Sequence, residues 1–65
     1  MCVAAVCFGE GPPLEYLKDM ERGNPHGAGV AFIKGNEVVY VKGIKADEVY
    51  YAMQHVPKPT LFHFR

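Results

Sequence analysis

The chain is 65 residues long, balances seven Lys and Arg against seven Asp and Glu, and is 49% hydrophobic with four Tyr and four Phe. That length allows one domain, residues 1–65, which buries only ~60% of the surface its unfolded form exposes; further burial against a second copy or a larger body is expected. The apolar content excludes a disordered tail, and the balanced charge offers no electrostatic pull toward nucleic acid or an anionic membrane.

The first eight residues are apolar but short, with neither a basic leader nor a cleavage pattern, so they read as neither signal peptide nor membrane span. Val3 to Phe8 form a continuous apolar run, as expected of a strand covered on both faces. Cys2 and Cys7 lie five apart in this segment, so their side chains alternate to opposite faces and do not readily bridge. Both are expected as free thiols in a reducing compartment, with cytoplasm the default.

Gly9 to Pro13 break the strand, and Pro12 or Pro13 suits the first turn of a helix. Leu14, Tyr16, Leu17 and Met20 then share one face, opposite Glu15, Lys18, Asp19 and Arg22, and Gly23 fits the helix end. A second strand is expected over Gly29 to Ile33. Gly35-Asn36 signals a two-residue hairpin into a third strand, Glu37 to Lys42. Val49, Ala52, Met53 and Val56 recur at i, i+3, i+4 and i+7, which predicts a second helix ended by Pro57 and Pro59. Thr60 to Arg65 alternate as a last strand, with Leu61, His63 and Arg65 on one face and Phe62 and Phe64 on the other.

The order is therefore β-α-β-β-α-β, an α+β domain. Right-handed crossovers predict one four-stranded mixed or antiparallel sheet with two helices on one face. In the ferredoxin-like strand order 4-1-3-2, the first and last strands are antiparallel neighbours. The start of the first and the end of the last then lie at one end of the sheet, ~4.8 Å apart in strand spacing. Cys2 and Arg65 would meet there.

Cys2 follows Met1 directly. Removal of Met1 would put a thiol and a free α-amine on one residue, and an N-terminal amine, with an ordinary pKa of ~7.7–8.0, can serve as the base for such a nucleophile. A retained Met1 would block that amine. A free cysteine at a strand start also fits a small buried apolar residue. Arg65 reads either as a solvated charge or as a planar carboxylate anchor. Asn24-Pro25-His26-Gly27-Ala28-Gly29 is a turn entering a strand; it lacks the spacing of a phosphate-binding loop, and His26 either lines a pocket or is an ordinary turn residue. The cysteines and His26, His55 and His63 show no metal-ligand spacing, so neither metal nor cofactor is expected.

Taken together, Met1-Cys2 with its apolar strand, Asn24-Pro25-His26-Gly27-Ala28-Gly29-Val30-Ala31-Phe32, Lys42-Gly43 and His63-Phe64-Arg65 resemble, in order, the start of a class II glutamine amidotransferase domain of the N-terminal-nucleophile hydrolase superfamily. The resemblance implies part of an αββα fold, with glutamine as substrate. It implies Cys2 as the catalytic nucleophile attacking the side-chain amide, and Arg65 as the α-carboxylate anchor, with His26 and Gly27 beside the substrate. It also implies that an oxyanion-stabilising Asn-Gly pair and an amine-gripping aspartate come later in the domain, of which 65 residues are roughly the first third on a ~150–200-residue prior. Little or no glutaminase activity is then expected of this chain alone. The uncovered sheet face, with Val3, Ala5, Phe62 and Phe64 as its apolar residues, would dock against the rest of such a domain or against another copy. The alternative is a complete, non-catalytic βαββαβ module that binds or self-associates.

Overall fold

The computed structural model describes residues 2–65. The elements are β1 (Val3–Cys7), α1 (Leu14–Gly23), β2 (Ala28–Lys34), β3 (Glu37–Ile44), α2 (Ala46–His55) and β4 (Thr60–Phe64). They form one four-stranded sheet in the order β1-β4-β2-β3, in which every neighbouring pair is antiparallel. The α+β class and the βαββαβ order are as the sequence predicts.

The strand order differs from 4-1-3-2. β1 and β4 are antiparallel neighbours, but β4 occupies the interior of the sheet and β1 its edge. The side chains explain the difference. Phe62 and Phe64 on β4 are 1% and 0% exposed, and an interior strand gives such large rings cover on both sides. β1 offers mainly alanine and valine, and β3 carries Glu37, Tyr40 and Lys42. Those strands tolerate the edges.

The two faces are sorted by register. Val3, Ala5 and Cys7 lie opposite Phe64, Phe62 and Thr60, which in turn lie opposite Ala28, Val30 and Phe32. This face carries the helices. Leu17 of α1 and Val49 and Met53 of α2 close the core over Val30, Phe62 and Phe64. Val3, Ala5, Phe62 and Phe64 are therefore not the uncovered residues the sequence suggests. The uncovered face holds Val6, Ile33, Val38, Tyr40 and Leu61, all exposed, together with Ala31 and His63. β1 is accordingly covered on one face rather than two, and Phe8 lies beyond its end, exposed. The apolar run misleads because valine and alanine are common at half-covered edge positions as well as in buried strands.

Helix α1 starts after Pro13, whose carbonyl accepts the Tyr16 N–H at 3.0 Å. Leu17 is fully buried and Leu14 and Met20 are partly so, while Tyr16, expected on that face, points to solvent. Helix α2 is held at its N-terminus by two carboxylates. Glu21 Oε2, from α1, accepts the Ala46 N–H at 2.9 Å, and Glu48 Oε1 accepts the Lys45 N–H at 2.9 Å. Both satisfy amides that the helix leaves unpaired and sit at the positive end of its dipole. Gly35-Asn36 forms the turn between β2 and β3. No helix among the described residues is long and apolar enough to cross a membrane.

Candidate functional site

One end of the sheet collects most of the residues singled out from the sequence. Val3 faces Phe64 across β1 and β4, so Cys2 and Arg65 each lie one residue beyond the last paired position, at the same end of the sheet. Cys2 is exposed, whereas Cys7, on the covered face, is buried. The backbone of Arg65 is fixed by the turn before β2: its N–H donates to the Gly27 carbonyl at 2.9 Å, and its carbonyl accepts the His26 N–H at 2.7 Å. These two bonds extend the β2–β4 pairing past Ala28↔Phe64. The Asn24–Gly29 turn thus clamps the strand end that carries Arg65. At the base of the turn the Asn24 side-chain amide donates to the Met20 carbonyl at 3.0 Å, which ties the turn to the end of α1.

An open concavity of ≈ 520 Å³ lies at this end, lined by His26, Gly27, Tyr40, Lys42, His63 and Arg65 among others. Cys2 does not line it. Arg65, at the end of β4, stands between Cys2 on the β1 side and the concavity on the β2–β3 side. With strands ~4.8 Å apart, Lys42 on β3 is about three strand spacings, on the order of 14 Å, from the Cys2 edge. The end of the sheet therefore presents two neighbourhoods that share an arginine.

Tyr40, Lys42 and His63 were given no role by sequence reasoning. Tyr40 on β3 and His63 on β4 flank β2, and the Tyr40 hydroxyl and His63 Nε2 are 2.8 Å apart, a hydrogen bond that crosses over β2. Their ring centroids are 6.0 Å apart with 21° between the planes. The two ring planes are thus near parallel and are joined by the hydrogen bond. The crossing passes over Gly29, which pairs with His63 on one side and Lys42 on the other. A Cβ on Gly29 would stand 2.7 Å from His63 Nε2, 2.8 Å from the Val41 carbonyl oxygen and 3.2 Å from Tyr40 Cε1. Glycine is required at this point by close approach. The signal available beforehand was a glycine inside a strand, which often marks such an approach.

The ladder is irregular at the same place. Ala28 pairs with Ile44 and Gly29 with Lys42, leaving Gly43 as an extra residue at φ +75°. This is a bulge with glycine in the left-handed region, and it keeps Lys42 on the uncovered face while Ile44 turns to the core. Among the described residues, neither Lys42 nor Arg65 is in an ion pair, and no group of three or more His, Cys, Asp or Glu side chains is arranged to hold a metal ion. No protein-family model, curated protein or solved structure matches this chain.

Proposed function

We propose that the Cys2–Arg65 edge is the nucleophile-and-anchor part of a glutamine-amide-hydrolysing site, of the class II amidotransferase kind that the sequence resembles. Once Met1 is removed, the α-amine of Cys2 takes the thiol proton and the sulfur attacks the side-chain carbonyl carbon of glutamine. The amine returns the proton to the departing ammonia, leaving a thioester, and water resolves this to glutamate. Arg65 pairs with the α-carboxylate, and the His26–Gly27 clamp holds its backbone. The observation that carries this reading is the β1–β4 register, with Val3 opposite Phe64, one step from Cys2 and Arg65. The setting in which this thiol stays reduced is the cytoplasm.

The chain contains no Asn-Gly dipeptide to serve as the family's oxyanion donor. Losing a single such donor costs ~2.7–4 kcal/mol of transition-state stabilisation, so the 65-residue chain is expected to release no ammonia from glutamine above buffer. A covalent probe tests the two groups directly. A glutamine analogue with an electrophilic carbon in place of the side-chain amide should alkylate Cys2 of the Met1-free chain, and Arg65→Ala should slow labelling about tenfold. Labelling that ignores Arg65, or proceeds equally with Met1 in place, would sink the proposal.

A second reading is favoured by a separate observation. Val6, Ile33, Val38, Tyr40 and Leu61 expose apolar surface on one flat sheet face. A non-catalytic module that self-associates through this face accounts for them without chemistry at Cys2. Light scattering separates the two: a discrete, well-folded dimer whose Cys2 is inert to the probe supports the module.

A further inference from the structure

Charge is segregated across the sheet in a way that overall neutrality conceals. The seven acidic residues are Glu10, in the loop after β1; Glu15, Asp19, Glu21, Asp47 and Glu48, in the two helices; and Glu37, opposite Lys34 on the helix-bearing face of the β2–β3 pair. None occupies a strand position on the uncovered face. Lys42 and Arg65 border the concavity at one end of that face, with the hydrogen-bonded Tyr40 and His63 rings between them.

We propose that this concavity binds a small planar ring carrying an anionic group, a carboxylate or a phosphate. Tyr40 and His63 form the floor. Their hydrogen bond joins two rings whose planes are within 21° of parallel, and Gly29 beneath leaves room for the bridge. Together the two rings offer aromatic surface from two strands, and ring-on-ring contact tolerates many ring chemistries. Lys42 supplies a compact positive charge and Arg65 a planar fork, the pair of groups that recognise carboxylates and phosphates. The space of ≈ 520 Å³ exceeds what a bare inorganic anion fills and falls within the range of metabolite-sized sites. This site goes beyond the glutamine reading: its floor and Lys42 lie on the far side of Arg65 from Cys2, and glutamine has no ring to use the floor.

The test is a titration of the full chain, read by the ring-proton NMR resonances of His63 and Tyr40. Four probes are used: a nucleoside monophosphate, an aromatic carboxylate, inorganic phosphate, and the uncharged nucleoside. One or both ring-bearing anions should shift both residues saturably and bind about tenfold more tightly than inorganic phosphate or the uncharged nucleoside. The tighter of the two identifies the anionic group. Lys42→Ala and Tyr40→Leu, both at exposed positions, should each weaken binding about fivefold or more, while Tyr40→Phe, which keeps the ring but not the bridge, should weaken it less. Gly29→Ala should separate the two rings and abolish the His63 shift; the exposed-site variants carry the test if that one does not fold. Equal affinity for ring-bearing and ring-free anions, no saturable shift, or indifference to Lys42→Ala would overturn the site. Alkylation of Cys2 by the glutamine analogue is unaffected by Lys42→Ala, so the two proposals fail separately.

Discussion

The two faces of the sheet are made by the same alternation and end in opposite conditions. On one, Val30, Phe62 and Phe64 disappear beneath α1 and α2. On the other, Val38 is 73% exposed and Tyr40 51%, although they belong to the same hairpin as Val30. The covered face holds the fold together. The uncovered face divides into an apolar stretch around Val6, Ile33, Val38 and Leu61 and a cationic, aromatic end at Tyr40, Lys42, His63 and Arg65. Burial and exposure thus alternate on successive residues of a single strand: Phe62 and Phe64 enter the core, His63 between them faces outward, and Arg65 continues its side.

Substitutions should separate the faces by magnitude. Phe62→Ala removes a ring from the closed core, and such truncations cost ~3–5 kcal/mol, against a total of ~3–10 kcal/mol for a chain of this size. Urea unfolding should find it largely unfolded in water; a well-folded protein would mean the core is not where the covered face puts it. Glu21→Ala removes the carboxylate that ties α1 to the first amide of α2. It should cost ~1 kcal/mol, seen as a lower urea midpoint with unchanged slope. Val38→Lys on the uncovered face should change stability by less than ~0.5 kcal/mol. Light scattering should show it reducing any self-association; a loss as large as that of Phe62→Ala would erase the distinction between the faces.

Much of this architecture was legible residue by residue. Leu17, Val49 and Met53 fall at helical spacing and are buried, Gly35-Asn36 turns the hairpin, and the prolines at 57 and 59 follow the end of α2. The alternation of β4 correctly separated Phe62 and Phe64 from Leu61 and His63. It could not say which set the helices would cover, because alternation has two faces and no label. Tyr16 shows the same limit on a helix: it lies one residue from Leu17, and its amphipathic ring fits either side of a boundary. At the sheet end, Cys2, His26, Gly27 and Arg65 drew notice by residue type and position. Lys42 and His63 stand in segments that carry the resemblance, but their meeting with Tyr40 was not legible, since a tyrosine, a lysine and a histidine on two strands mean little together until the strand between them is placed.

By itself the sequence determined the elements, their order, and which residues within each strand share a face. These depend on local chemistry: helical or alternating spacing, turn residues, and the restrictions of glycine and proline. Only the tertiary structure decided that β4 enters the sheet between β1 and β2, that the helices cover Phe62 and Phe64, and that Tyr40 reaches His63 across Gly29. The physical reason is that strand pairing joins residues far apart in the chain. Its outcome is a competition over which large side chains gain the most burial, and no single segment contains the terms of that competition.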